Sequence, residues 1–136
     1  MTKGDHYGTP VDFYDELNKR FHFKLDPCAW PDNALGTPYF YTEEDDGLVQ
    51  SWAPGPVFMN PPYSTVTPWV QKAYEESLKG VLVVGLVRHD PSTRWWNDWV
   101  RGKGLVLPVP YRLHFVGGDG AYNFPSTVVI WHGLWV

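Results

Sequence analysis

The sequence predicts an α/β domain built on a mostly parallel sheet with an antiparallel C-terminal edge. Three observations predict it. Short apolar strand candidates alternate with helix-patterned segments over roughly the first hundred residues. Residues 81–87 form a continuous apolar run, the pattern of a strand buried on both faces of a parallel sheet. Beyond residue 105, strand candidates follow one another with no helix between them, as antiparallel pairing allows.

Taken in order, Thr9-Pro10-Val11-Asp12 reads as a helix start, with Thr9 as cap, Pro10 at the first position and Asp12 in the place of a capping-box acid. Phe13, Leu17 and Phe21 recur at helical spacing behind it. Phe23-Lys24-Leu25 is a short strand that stops at Asp26-Pro27, and residues 28–38 are rich in turn formers. Tyr39-Phe40-Tyr41 is a second short strand, closed by the acidic run 43–46. Val57-Phe58-Met59 is a third, and it leads directly into Asn60-Pro61-Pro62-Tyr63. Thr67 and Pro68 start a second helix that ends before Gly80, and Asp90-Pro91 opens a third that runs to about Val100. In that third helix Trp95 and Trp99 align while Trp96 is rotated away, so one of the three can be exposed to a flipped base, a partner or DNA. Core packing explains the other two and is the ordinary reading for any single one. Residues 105–109, 112–116 and 127–131 are the remaining strands, the last two flanking a Gly117-Gly118-Asp119-Gly120 reversal. No repeat or low-complexity segment interrupts the pattern, and residues 1–136 read as one domain.

Composition bounds the function. No apolar run approaches bilayer-spanning length and the N-terminus lacks a signal-peptide core, so the expected location is the cytoplasm, away from any membrane. Cys28 is the only cysteine, which excludes an internal disulfide and a cysteine-rich zinc site; the five histidines show no metal-ligand spacing, so no metal is expected. The net charge of −4 argues against strong non-specific binding to DNA, but its distribution is uneven. Ten of the fifteen acids fall in residues 1–60, whereas residues 88–112 carry five cations against Asp90 and Asp98. Arg88, Arg94 and Arg112 are the phosphate-binding candidates of that stretch, each of which is also an ordinary surface cation.

The chemistry concentrates at Asn60-Pro61-Pro62-Tyr63. Ligand sites in open α/β sheets lie just beyond the carboxyl ends of strands, where this tetrapeptide stands. Two consecutive prolines stiffen the backbone and contribute carbonyls without N–H groups, giving an acceptor-rich rim. The Asn60 amide oxygen and a proline carbonyl can both accept from one exocyclic amino group, while Tyr63 stacks on the ring that carries it. Such a nitrogen has its lone pair delocalised into the ring. Acceptors placed out of the ring plane favour a localised lone pair, which can attack a methyl sulfonium directly with positioning and electrostatics alone. The same four residues can also be a plain proline-rich turn.

The chain resembles the phage-type DNA N-6-adenine methyltransferases, a small Dam-like family, from about Tyr7 to Trp131. The resemblance is carried by Gly8-Thr9-Pro10 before a helix, Leu25-Asp26-Pro27-Cys28-Ala29, Asp45-Asp46-Gly47-Leu48, Trp52, residues 57–63, residues 68–73 and Phe124-Pro125-Ser126. A glycine-rich loop after Asp-Pro is replaced by Ala29-Trp30-Pro31-Asp32, with Asn33 and Ala34 in the family's own variant of it. The resemblance implies a Rossmann-like, S-adenosylmethionine-dependent methyltransferase domain; the absence of a separate target-recognition domain is a departure read from the chain itself. The resemblance also implies that Asn60, Pro61, Pro62 and Tyr63 form the catalytic loop for methyl transfer to the N6 amino group of a flipped adenine in DNA. It places Thr9 and Pro10 at the methionine end of the cofactor, Asp26 and Pro27 against its amino group or ribose, and Asp45 against its adenine. A helix N-terminus beside Thr9 also suits a carboxylate by its dipole and N–H groups. A second copy of the chain is a candidate partner, since so small a catalytic domain gains DNA-holding surface by dimerising; a phage-encoded enzyme would work in the host cytoplasm. The competing readings are amino methylation of RNA, protein or a free nucleotide, and a non-catalytic DNA- or protein-binding module that has lost the cofactor. Cys28 reads as a small buried residue rather than a nucleophile.

Overall fold

The computed structural model describes residues 8–116 and 124–133. The glycine-rich reversal expected at 117–120 lies outside them. Six strands form one sheet: β1 (Leu25–Asp26), β2 (Tyr39–Phe40), β3 (Val57–Met59), β4 (Val83–Arg88), β5 (Leu105–Pro108) and β6 (Ser126–Trp131). Their order is β2-β1-β3-β4-β6-β5. The first four strands run parallel, and β6 lies antiparallel to both β4 and β5. The predicted mostly parallel sheet with an antiparallel edge is therefore present.

Three helices flank it: α1 (Val11–Phe21), α2 (Val66–Leu78) and α3 (Arg94–Trp99). The alternation of side chains along each strand sorts the core into two layers. Val57, Met59, Val83 and Val87 point to the side covered by Trp69 and Val70 of α2 and Trp96 of α3. Phe58, Val84 and Leu86 point to the other side, where Tyr14 of α1, Phe23, Leu113 and Phe115 cover them. Both faces of β4 are thus buried, which is why its sequence is apolar from Val83 through Val87 rather than at alternate positions. Gly85 is the exception in size. A Cβ there would stand 2.7 Å from the Trp131 ring, so the glycine makes room for a buried indole of the neighbouring strand.

Several boundaries moved. Thr9 does not cap α1: Pro10 occupies the N-cap position and no side chain caps the helix. The hydroxyl that would have done so is engaged elsewhere. Tyr63–Thr65 form a 3-10 turn that brings α2 in one residue before Thr67. Asp90 and Pro91 sit in a turn ahead of α3, where the Thr93 hydroxyl and amide both bond back to the Asp90 carbonyl. Among the described residues 112–116 form no full strand; Phe115 and Val116 are bridge residues, and Val116 pairs with Gly8 in an isolated antiparallel bridge. Their apolar members, Leu113 and Phe115, also seal the α1 layer. None of the three helix-3 tryptophans is fully exposed: Trp96 is buried against His89, and Trp95 and Trp99 pack half-buried on the core.

The long connection from β2 to β3 is pinned by one buried acid. Glu76 of α2 is 2% exposed; its Oε1 accepts from the Trp52 amide at 2.6 Å and its Oε2 from Lys79 Nζ at 2.9 Å. Trp52 in turn donates Nε1 to the Gly47 carbonyl and stacks on Trp69. Burial alone would raise the Glu76 carboxyl; Lys79, the Trp52 amide and Lys72 outweigh it and hold it below its ordinary range. Among the described residues no helix is long and apolar enough to cross a membrane.

A carboxyl with a depressed pKa stabilises the fold above the unfolded-state value and loses that contribution as pH falls through the folded one. Glu76→Gln is expected to lower stability at neutral pH by about 1–3 kcal/mol. Urea unfolding across pH should show the deficit shrinking as the solution becomes acid, and a deficit that persists unchanged in acid would assign it to packing instead.

Candidate active site

The chain runs from β1 outward to β2, then returns past β1 to form β3, so the winding direction reverses between β1 and β3. At such a switch point the connections leave in opposite directions and a crevice opens at the carboxyl ends of the two strands. Those ends are Asp26 and Asn60. A cavity of about 220 Å³ opens there, walled by Thr9, Asp26, Cys28, Asn33, Asn60 and Val116 with their neighbours.

Asn60 is 5% exposed and is held from two directions. Its side-chain Nδ2 donates to Thr9 Oγ1 at 2.9 Å, and its backbone carbonyl accepts from Cys28 Sγ at 3.3 Å. Burial, with the neighbouring Asp26 carboxyl, pushes the Cys28 thiol well above its ordinary range and keeps it a neutral donor. Three stretches distant in sequence, the start of α1, the end of β1 and the end of β3, thereby meet on one residue.

Asp26 lines the same cavity and is 7% exposed. Its Oδ1 accepts from the Cys28 amide at 3.2 Å. Burial pushes its carboxyl up to about 7, with only the Cys28 N–H drawing it back. A buried acid poised near neutrality beside a cavity is a place for a cationic partner. Gly47 supports this corner from beneath: a Cβ at Gly47 would collide with the Pro27 carbonyl, so the loop after β2 can press directly on the Asp26-Pro27 turn.

A second group forms where β4 ends. Arg88 pairs in register with Ser126, and the His89 amide bonds to the Pro125 carbonyl at 2.9 Å, which sets Phe124 beside the catalytic-loop candidate. The Tyr63 and Phe124 rings meet edge-to-face at 5.1 Å, and the Arg88 guanidinium lies 5.1 Å from the first ring and 4.3 Å from the second. A cation on two aromatic faces is a cation–π arrangement that also shows its donors to an anion nearby.

The family model described as DNA N-6-adenine-methyltransferase (Dam) matches residues 1–131. A DNA N-6-adenine-methyltransferase of Haemophilus phage HP1 (strain HP1c1) is 34% identical over 119 residues, covering 85% of this chain and 68% of that protein. The chain belongs to the DNA N-6-adenine-methyltransferase (Dam) family. It is an adenine-specific DNA methyltransferase, and its reaction requires a methyl donor.

For a member of this family the crevice collects many of the residues singled out from sequence. Thr9, Asp26 and Asn60 line one cavity, and Pro27 and Pro61-Pro62 are buried beside them. Tyr63 is half-buried at the neighbouring Arg88 group. Pro10 faces a second concavity between α1 and residues 111–114, which Arg112 also lines. Asp45 does not line the first cavity; its Oδ2 accepts from the Thr42 amide at 2.8 Å and hydroxyl at 3.1 Å, closing its own turn. Arg94 is almost wholly exposed and pairs with Asp98. Among the described residues no group of His, Cys, Asp and Glu is placed to hold a metal.

Sequence reasoning missed two participants. Cys28 is the small buried residue expected, and it also donates to Asn60; the signal available for that second task is its position two residues past a strand-end aspartate. Phe124 was noticed only as part of a closing motif; its place beside Tyr63 depends on the β4–β6 register, which no local pattern discloses.

An acid whose pKa is raised in the folded state costs stability once pH exceeds its unfolded value, by about 1.4 kcal/mol per unit, until the folded value is passed. With the folded value about 7, Asp26→Asn is expected to stabilise the ligand-free protein increasingly from mildly acid pH to a plateau above neutrality. Thermal melts at pH 5 and pH 8 check this; equal shifts at both would mean that Asp26 is not desolvated.

Proposed function

We propose that this chain transfers a methyl group from S-adenosylmethionine to the exocyclic N6 of adenine in DNA by direct in-line attack, with residues 60–63 as the catalytic loop. The observation that carries the proposal is Asn60 at the switch-point crevice, buried and held from two sides, on a cavity it shares with Asp26.

The cavity's donor set fits the cofactor's chemistry. Its polar groups include the buried Asp26 carboxyl, Asp32, the Asn33 and Asn60 side chains and the approach to the α1 N-terminus at Thr9, and Val11, Ala29, Leu35 and Val116 supply apolar wall. A helix N-terminus favours a carboxylate, and a buried carboxyl favours an ammonium. We assign the helix start at Thr9 and Pro10 to the cofactor's carboxylate, through the free N–H groups of the first turn that Pro10 opens rather than through Pro10 itself, and Asp26 with Pro27 to its amino group. Asp45 is assigned to shaping the turn beyond β2, since Thr42 already engages its carboxylate. When bound, S-adenosylmethionine supplies an electrophilic methyl group.

The chain's own part is to prepare the nitrogen. The Asn60 amide oxygen and the Pro61 carbonyl accept from the two N–H bonds of the amino group and favour a localised lone pair. Pro61 and Pro62 keep those acceptors from relaxing away. Adenine must leave the base stack to reach them, and Tyr63, braced by Phe124, replaces part of the lost stacking. Arg88 stands beside Tyr63 as the phosphate contact next to the extruded nucleotide, with Arg94 and Arg112 as outlying ones.

Incubation with isotope-labelled S-adenosylmethionine and unmethylated DNA, followed by digestion to nucleosides, should yield labelled N-6-methyladenine. Asn60→Ala should reduce the label by at least about 100-fold while cofactor affinity stays near that of the unaltered protein. Label in another macromolecule and none in DNA would replace the substrate; undiminished label in the variant would remove Asn60 from catalysis. Asp26→Ala should weaken cofactor binding. Because the Asp26 carboxyl must be ionised to hold an ammonium, cofactor affinity should rise with pH to a plateau above about 7. That pH dependence should vanish in Asp26→Asn; a pH-independent affinity in the unaltered protein would misplace the amino group.

A further inference from the structure

We infer that Thr9 is the positioning residue that orients the Asn60 amide, with Cys28 fixing the backbone that carries it. This rests on the reading of Asn60 as catalytic. An asparagine amide can turn by half a rotation about its last bond with almost no change of shape, exchanging its oxygen for its nitrogen. Only one of the two orientations works, because an amide N–H facing the N–H of an adenine amino group makes no hydrogen bond. At a buried site the polar partner decides which orientation holds.

Here that partner is Thr9. Its hydroxyl is able to accept or donate and here accepts from Nδ2 at 2.9 Å, the arrangement that directs the amide oxygen the other way. Thr9 is itself well placed to hold still. It is 6% exposed, it follows Gly8, which exchanges two backbone hydrogen bonds with Val116, and it precedes Pro10 at the start of α1. Its hydroxyl is not spent on capping α1. Cys28 adds the second point of hold by donating to the Asn60 carbonyl, so that the peptide beneath the side chain is fixed as well. In the Proposed function the start of α1 meets the cofactor through its backbone, so the hydroxyl's task is separate from cofactor affinity.

The test compares Thr9→Val, which keeps the shape and removes the hydroxyl, with Thr9→Ser, which keeps the hydroxyl. Single-turnover methyl transfer to DNA at saturating cofactor and the Kd for S-adenosylmethionine are measured on the same preparations. Thr9→Val is expected to slow transfer about 10- to 100-fold with Kd changed less than about twofold, and Thr9→Ser to restore most of the rate. An unchanged rate in Thr9→Val would overturn the inference, as would a rate loss that follows an equal loss of cofactor affinity or a Thr9→Ser variant as slow as Thr9→Val. Activity surviving in Asn60→Ala is a separate result that would remove the catalytic reading beneath it.

Discussion

The hydrogen bond between the Asn60 side chain and Thr9, buried where β1 and β3 end, ties together parts of the molecule that have no other reason to share a position. Helix α1 belongs to one face of the sheet and packs on Phe58 through Tyr14. The loop after β1 belongs to the crevice, and residues 60–63 lead to α2 on the opposite face. A buried residue held through both its side-chain Nδ2 and its backbone carbonyl fixes these three segments relative to one another more narrowly than apolar packing would. The cavity that Asp26 and Asn60 share is a consequence of that fixation, since its walls are the same segments.

The packing around the crevice supports this economy of parts. β1 and β2 are only two residues long, and β3 three, so backbone pairing contributes little rigidity on that side of the sheet. Rigidity comes instead from tertiary props. Gly47 abuts the Pro27 carbonyl, Trp52 joins that loop to α2 through Glu76, and Tyr14 Oη bonds to Thr37 Oγ1 at 2.9 Å beneath the other wall. The longer strands β4 and β6 anchor the opposite half and carry Arg88 and Phe124 to the same end of the sheet.

The electrostatics of the site follow from burial rather than from opposed charges. Asp26 has a backbone amide as its partner and a raised pKa, whereas Glu76 has two lysines and a lowered one. Burial raises both carboxyls, and the charged company of Glu76 reverses the outcome. The structural acid is satisfied within the fold. The acid at the cavity is held ready for a positive group.

The sequence by itself determined the alternation of strand and helix, the doubly buried β4, and the strand-then-Asn-Pro-Pro-Tyr placement, because these depend on local stiffness and on periodicities that the chain carries along its length. It also made the family legible, through short motifs in a fixed order. Only the tertiary structure decided that Thr9 serves Asn60 instead of capping α1, that the buried Cys28 is also a donor, that Asp45 spends its carboxylate on its own turn, and that Phe124 meets Tyr63. The physical reason is common to all four. Each side chain could satisfy its hydrogen-bonding or packing need in more than one way, and the choice fell to whichever partner the sheet order and register brought within reach.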